Sequence, residues 1–273
     1  MTTSTPDLAK LVGPVRAIAA RASEQILKIY ETDFAVAEKQ DRSPLTAADL
    51  ASHEAIVAGL KALTPELPIL SEESVGIPFA ERSGWSRYWL VDPLDGTKEF
   101  IKKNGEFTVN IALIDGHRPV LGVVHVPVSG ISYFAAEGFG AFQEQPGSKQ
   151  VPLATRKANP KYFVVSGSRS HGDDTLQAFV ASLPGEVEFI AKGSSLKLCM
   201  VAEGEADIYP RFGLTSEWDT AAAQCVVEQA GGSVVDRQFR PILYNTKDDI
   251  LNPHFLVIAD PSFGWQALMP PVG

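Results

Sequence analysis

The sequence predicts an α/β protein, with an antiparallel α+β sheet in its N-terminal half and alternating strands and helices in its C-terminal half. Two helical patterns come before the strand patterns, and apolar alternation from Phe107 predicts a meander of antiparallel strands. Beyond Tyr162, short apolar runs alternate with helical periods, which is typical of an α/β layer. The polar, proline-containing stretch 143–161 separates the two patterns, so we expect domains of residues 1–150 and 151–273.

The elements of the N-terminal half follow from periodicity and from their stop signals. A long amphipathic helix is expected over 7–31, and a second from Thr46 to Leu63, where Thr64-Pro65 ends it. The segment 68–73 predicts a short strand that ends in two acids. Later strands are predicted at Phe107–Leu113, Val120–Val128, Ile131–Ala136 and Gly140–Gln143.

In the C-terminal half, strands and helices are predicted in alternation. The predicted strands are 162–166, 187–191, 207–210, 233–236 and 254–259, and the predicted helices are 173–183, 194–203 and 217–230. Gly231-Gly232 provides a stop for the last helix. The proline-containing tail from Pro261 is expected on the surface.

Composition limits the classes of protein and partner. The chain has 273 residues, 45% hydrophobic and 21% charged, and no apolar run approaches the ~20 residues that span a bilayer. No secretory signal is visible, so we expect a cytoplasmic protein, which leaves room for a peripheral association with the inner membrane. The net charge of −9 argues against a nucleic-acid polymer as partner but permits a small phosphate ester beside bound cations. The cysteines, Cys199 and Cys225, are expected to be buried free thiols.

The segment Trp89–Phe100 is the most informative part of the chain. An apolar run ends in Asp92 and Asp95, three residues apart, and Gly96-Thr97 follows. Because proline cannot continue a ladder, we expect the strand to end before Pro93 and Asp95 to cap the next helix. Two close carboxylates repel each other unless a cation lies between them, and hard oxygen ligands suit Mg²⁺. The helix N-terminus would favour an anion such as phosphate.

Three other acidic positions are uninformative singly. Glu72-Glu73 is by itself compatible with a solvated acidic loop, Asp219 with a helix cap after Ser216, and Asp49 with a capping box that starts at Thr46. Sheet pairing could bring Glu72 beside the Asp92 turn. The joint pattern therefore has more weight than any one of its members.

The joint pattern resembles the inositol monophosphatase superfamily of Mg²⁺-dependent, lithium-sensitive phosphomonoesterases. The pattern consists of Asp49, the Glu72 segment, Asp92-Pro-Leu-Asp95-Gly-Thr97 and Trp218-Asp219, in that order. The resemblance implies a layered αβαβα sandwich and covers nearly the whole chain. The haloacid dehalogenase motif is excluded because it needs its two acids one residue closer together.

Within that superfamily, the chain is similar to the CysQ-type 3′(2′),5′-bisphosphate nucleotidases. The similar segments are Asp92–Ile101, Glu106–Leu113, Ser168–His171, Gly193–Lys197, Ala202–Gly204 and Tyr209–Gly213. The resemblance implies hydrolysis of the 3′-phosphate of adenosine 3′,5′-bisphosphate to AMP and phosphate, in sulfur metabolism. An inositol or sugar phosphatase is the alternative, and an inactive phosphate-binding regulator is a third.

The resemblance also implies roles for individual residues. Two or three Mg²⁺ ions would be held by Glu72, Asp92, Asp95, Asp219 and the carbonyl of Leu94, with Glu73 behind them. Asp49 and Thr97 would orient and deprotonate the attacking water, and Gly96 and Thr97 N–H groups would hold the phosphate. The substrate would also contact Glu72, Asp95, Asp219, His171, Ser194, Lys197 and Arg211. Each of the last four could instead have an ordinary structural role, as a core histidine, a capping serine, a surface lysine or a salt-bridged arginine. The sequence leaves monomer and homodimer open.

Overall fold

A computed structural model of the chain describes residues 7–32, 44–74, 76–168 and 174–269. Helix α1 spans Leu8–Tyr30 and α2 spans Pro44–Leu63. The predicted second helix is confirmed, but it begins at Pro44, so a capping box starting at Thr46 was wrong. None of the helices in the described ranges is long and apolar enough to cross a bilayer.

Seven strands of the described chain form the first sheet, in sequence order. They are β1 (Ile69–Ser71), β2 (Arg87–Asp95), β3 (Thr108–Asp115), β4 (Arg118–His125), β5 (Ser132–Ala136), β6 (Gly140–Glu144) and β7 (Val151–Pro152). Only the β1–β2 pair is parallel, and the pairs from β2 to β7 are antiparallel, so the predicted meander is confirmed. Short helices α3 (Phe79–Arg82) and α4 (Thr97–Ile101) flank β2.

Strand β2 corrects one sequence prediction. It runs through Pro93 to Asp95 rather than ending before the proline. The register with β3 shifts between Asp92 and Asp95, so the missing proline N–H falls in an irregular stretch of the ladder and does not break a regular pair.

The second sheet has the strand order β11-β12-β10-β8-β9. Its strands are β8 (Tyr162–Gly167), β9 (Glu186–Ala191), β10 (Ile208–Arg211), β11 (Ser233–Asp236) and β12 (Phe255–Ile258), and its helices are α5 (Asp174–Ser182), α6 (Leu196–Ala202) and α7 (Ala221–Gln229). β8 lies parallel to β9 and β10, as the predicted α/β alternation requires. The predicted helix 217–230 is split, because a 3-10 turn over Glu217–Asp219 precedes α7.

The side chains form three apolar layers between the elements. One joins α1 and α2 to the first sheet, a second joins the other face of that sheet to α6, α7 and the second sheet, and a third joins the second sheet to α5. The order is therefore αβαβα, as predicted. The third layer includes Trp265, which is 1% exposed, so the prediction of a surface tail from Pro261 was wrong for this part.

Candidate active site

Strands β2 and β3 position the central acids of the site. Along both strands, alternate residues face the α1–α2 layer and the α6–α7 layer. At the end of the pair, the apolar residues give way to Asp92 opposite Asn110 and Asp95 opposite Thr108. Asp92 is buried, and its Oδ1 accepts the Leu94 N–H at 3.0 Å, which fixes the turn.

Helix α2 is anchored to this turn by two hydrogen bonds. The Ser52 hydroxyl donates to the carbonyl of Pro93 at 2.8 Å, and His53 Nδ1 lies 2.9 Å from the Ser71 hydroxyl at the end of β1. Asp49, Ser52 and His53 are three and four residues apart, so they share one face of the helix. The anchors therefore hold Asp49 against the acids that follow β1.

The acidic positions predicted from sequence come together. We call Asp49, Glu72, Glu73, Asp92, Asp95 and Asp219 the acidic cluster. Burial raises the pKa of Asp92 well above its usual range, and the charges of Asp95 and Asp219 add to that effect. Burial, together with the charge of Asp95, raises the pKa of Asp219 to about 7.

Glu72 and Glu73 occupy different parts of the acidic cluster. Burial and then the charge of Asp95 raise the pKa of Glu72, which lies beside Asp92. Burial, and then the charges of Glu73 and Glu72, raise the pKa of Asp49 to about 8, and of these two acidic neighbours Glu73 has the larger effect. Glu72 thus faces the Asp92 turn, and Glu73 lies behind it against Asp49.

The donor set of the acidic cluster fits a hard divalent cation such as Mg²⁺. Among the described residues, no three His, Cys, Asp or Glu side chains are gathered in a geometry that holds a metal ion as it stands. Instead, the carboxyls lie close to one another, and their repulsion adds to burial in raising the pKa values of Asp49, Glu72 and Asp92. A divalent cation neutralises the same charges. Asp49 Oδ1 is buried without a hydrogen-bond partner in the described part of the chain.

Gly96 and Thr97 begin α4 beside these acids. Gly96, not Asp95, is the N-cap, and its φ of 105° is a left-handed conformation that favours glycine, so the predicted Asp95 cap was wrong. A Cβ at Gly96 would lie 3.1 Å from the Cβ of Phe107. Thr97 is exposed at the first position of α4, which contacts α2, the helix of Asp49.

A cleft of about 140 Å³ opens beside Asp95 and Asp219. The predicted residues Gly96, Ser194, Lys197 and Arg211 line it, together with residues that sequence reasoning did not assign to the site, among them Lys98, Glu99, Lys192 and Tyr209. We call Lys192, Lys197 and Arg211 the cationic wall. His171, also predicted to contact the substrate, lies outside the described residues.

Backbone carbonyls hold Lys197 and Arg211 of the cationic wall, whereas the Lys192 ammonium lies 3.6 Å from Glu106 Oε1. The Lys197 ammonium donates to the carbonyl of Ser194 at 2.6 Å, and burial lowers its pKa. Arg211 Nη2 donates to the carbonyl of Leu214 at 2.9 Å, whereas its buried Nε has no hydrogen-bond partner among the described residues. Lys197 therefore uses part of its hydrogen-bonding capacity to hold the loop before α6, a role that the sequence did not predict.

The loop before α6 approaches the first half of the chain closely. Gly193 N–H donates to Glu106 Oε2 at 2.9 Å, and a Cβ at Gly193 would lie 2.5 Å from the Cγ of Glu99, so only glycine fits. Ser194 has a φ of 45°, and its buried hydroxyl has no hydrogen-bond partner within the described ranges. This strained, unpaired hydroxyl in the cleft is suited to a ligand contact.

Comparisons with known proteins agree with this arrangement. The sequence profile of the inositol monophosphatase family matches residues 7–261. The 3′(2′),5′-bisphosphate nucleotidase CysQ of Salmonella typhimurium is 50% identical over 242 residues, which are 88% of this chain and 96% of that protein. The protein of the same name from Escherichia coli strain K12 is 49% identical, with the same coverage. The crystal structure of CysQ from Bacteroides thetaiotaomicron superposes with a TM-score of 0.79 at 45% identity, over 89% of this chain and 94% of that one.

Proposed function

The chain belongs to the inositol monophosphatase family, and we propose that within it the chain is a 3′(2′),5′-bisphosphate nucleotidase. The reaction is hydrolysis of the 3′-phosphate of adenosine 3′,5′-bisphosphate. Water adds to phosphorus, the bond from phosphorus to the 3′ oxygen breaks, and that oxygen takes a proton. The products are AMP and inorganic phosphate, and the natural setting is sulfur metabolism.

One observation supports this proposal most strongly: Asp95 and Asp219 of the acidic cluster line the same cleft as the cationic wall. The acids alone would serve any Mg²⁺-dependent phosphomonoesterase. A substrate with a second phosphate and a base also needs cationic donors a short distance away, which Arg211 and Lys192 supply. An inositol phosphate has no second anion to occupy them.

We propose that two or three Mg²⁺ ions bind Glu72, Asp92, Asp95, Asp219 and the carbonyl of Leu94. When bound, they lower the pKa of water and stabilise charge on the leaving oxygen. Lithium is expected to inhibit by occupying one of these positions.

The chain's own groups then orient the reactants. We propose that Asp49 takes a proton from the attacking water, with the Thr97 hydroxyl as its partner in orientation. We assign the N–H groups of Gly96 and Thr97 to the phosphate oxygens. Ser194 and Arg211 have a hydroxyl and an Nε without partners in the described part of the chain, and we assign them to the nucleotide.

Location is a separate proposal. The only two cysteines, Cys199 and Cys225, are free and buried, as predicted, and reduced thiols are typical of cytoplasmic proteins. We therefore propose a cytoplasmic enzyme.

A phosphate-release assay tests the proposed activity. Purified protein with Mg²⁺ is given adenosine 3′,5′-bisphosphate or inositol 1-phosphate, and the nucleoside product is identified by chromatography. We expect a higher kcat/KM for the nucleotide, with AMP as its product. A preference for inositol 1-phosphate would replace the nucleotidase with an inositol phosphatase on the same scaffold, and binding without turnover of either ester would make the protein a regulator.

A further inference from the structure

A hydrogen-bond network joins β2 and β3 of the first sheet to the start of α6 and to the 3-10 turn before α7, and it includes Asp95 and Asp219 of the acidic cluster. Ser195, at the N-cap of α6, donates to Asp95 Oδ2 at 2.8 Å and to the Asp219 carbonyl at 2.9 Å. Asn110 on β3 donates to the Ser195 hydroxyl at 2.8 Å, and its Nδ2 lies 3.4 Å from Asp95 Oδ2. Ser195 and Asn110 are each 1% exposed.

The Ser195 hydroxyl has one proton and two acceptors within reach. Because the Asn110 amide donates to its oxygen, that proton is directed towards Asp95 Oδ2 or the Asp219 carbonyl. These acceptors belong to different parts of the fold: Asp95 ends β2 in the first sheet, whereas Asp219 ends the 3-10 turn before α7. The Ser195 oxygen therefore lies within 2.9 Å of both the Asp95 carboxylate and the Asp219 backbone, and its proton bonds to either of them.

The position of Asn110 is unusual for a residue that serves stability alone. On the same face of β3, Ala112 and Ile114 pack into the α6–α7 layer, and this apolar row ends at the buried Asn110. Its Oδ1 is buried without a hydrogen-bond partner among the described residues. A buried, unpaired amide oxygen costs stability, so the residue is best explained by what its Nδ2 does.

We propose that Ser195 and Asn110 are positioning residues that set the affinity of the acidic cluster for Mg²⁺ by holding Asp95 and Asp219 together. The inference rests on the metal site of the proposed function. Groups that hydrogen-bond to metal ligands fix ligand orientation, and their loss typically lowers metal affinity or activity about 10- to 100-fold.

Mg²⁺ binding to the protein without substrate tests this proposal. The melting temperatures of metal-stripped wild type, Ser195→Ala, Asn110→Ala and the double variant are followed as Mg²⁺ is added, because binding to the folded state raises Tm by an amount that depends on the ratio of Mg²⁺ concentration to Kd. Ser166→Ala is the matched control, since Ser166 is a fully buried serine on β8 whose hydroxyl contacts Met200.

Each single variant should need about tenfold more Mg²⁺ than wild type for the same rise in Tm. The double variant should need little more than the weaker single variant, because the two residues act as one unit. Ser166→Ala should follow the wild-type titration even if its metal-free Tm falls.

The proposal is overturned if Ser195→Ala and Asn110→Ala lower only the metal-free Tm and then follow the wild-type Mg²⁺ titration. That outcome would leave both residues with a purely structural role. Failure of the proposed function is seen separately, because wild type would then bind Mg²⁺ without releasing phosphate from adenosine 3′,5′-bisphosphate.

Discussion

The acidic cluster and the cationic wall satisfy their charges in different ways. In the acidic cluster, burial and neighbouring carboxyls raise the pKa of Asp92, Asp219 and Glu72, so the charged forms lack a sufficient partner within the protein. In the cationic wall, Lys197 and Arg211 donate to backbone carbonyls and are already fixed. We therefore expect the cluster to control whether the reaction occurs and the wall to control which substrate reacts.

The largest expected effect is that of Asp92→Asn. An amide is a poor ligand for Mg²⁺, so kcat should fall roughly 10³-fold, which corresponds to several kcal/mol of lost stabilisation. In chelator the variant should melt higher than wild type at neutral pH, because a buried charge is removed while the acceptor for the Leu94 N–H is kept.

The matched control for that variant is Asp115→Asn at the other end of β3, where the acid pairs with Arg87. It should keep wild-type kcat. If Asp92→Asn did the same, or lost stability in chelator, the acidic cluster would not be a site of uncompensated charge.

The next effect concerns water activation. Asp49→Asn or Thr97→Ala should lower kcat about 10²-fold, the scale for loss of a general base, with little change in folding. Steady-state kinetics measure this, with Glu54→Gln, an exposed acid on the same helix as Asp49, as the control. Near-native kcat in Asp49→Asn would return Asp49 to a structural role on α2.

Substitutions in the cationic wall should act on KM instead. Arg211→Ala and Lys197→Ala should raise KM for adenosine 3′,5′-bisphosphate about tenfold, since a charged hydrogen bond to an anion contributes on the order of 1.5 kcal/mol. Slow hydrolysis of inositol 1-phosphate should be almost unaffected. Lys161→Ala, an exposed lysine at the start of β8, is the control. An equal loss with both esters would show that the wall supports the fold or the metals rather than substrate choice.

The smallest effect lies outside the cleft, at Glu203. Burial raises the pKa of this carboxyl to about 7, from an ordinary value of 4.5, and it accepts a hydrogen bond from Gln143. The folded state therefore binds the proton more tightly than the unfolded state, and stability falls as pH rises from 4.5 towards 7.

Glu203→Gln should reduce the loss of unfolding free energy across this pH interval by about 1 kcal/mol. This figure is smaller than the full pKa shift implies, because solvent screens a partly exposed carboxyl. The measurement is the difference in unfolding free energy between wild type and variant at pH values across this interval, in chelator. Parallel curves would contradict a raised pKa at Glu203, and would show that burial by itself does not strain carboxyls elsewhere in this fold.

The sequence predicted the acidic cluster better than the cationic wall, for a physical reason. Asp92 and Asp95 follow a buried strand within one short segment, so local pattern and turn chemistry indicate their meeting. The contacts of the wall and of the network at the cluster depend on tertiary structure: Lys192 of the wall pairs with Glu106, and in the network Ser195 lies 100 residues from Asp95 and 85 residues from Asn110. No local pattern reveals such a network, although Asn110 and Ser195 both lie in segments that resemble the nucleotidases.

Tertiary structure also explains where the fold predicted from the sequence was wrong. The rule that proline ends a ladder holds for regular pairs, but the register shift between Asp92 and Asp95 gives Pro93 a place within β2. The prolines of the tail from Pro261 suggested a surface segment, but its apolar residues pack on the third layer: Trp265 contacts Phe163 and donates to the Asp260 carbonyl, and Phe263, Leu268 and Met269 pack beside it.

The most direct test of the account is phosphate release by metal-stripped protein as Mg²⁺ is restored. Adenosine 3′,5′-bisphosphate is the substrate, and residual metal is measured by mass spectrometry. We expect no turnover in excess chelator and full recovery with Mg²⁺. Without cations between the carboxylates and the phosphate, their negative charges repel each other and the substrate cannot bind at the acidic cluster. Full turnover by protein shown to be free of metal would contradict the account.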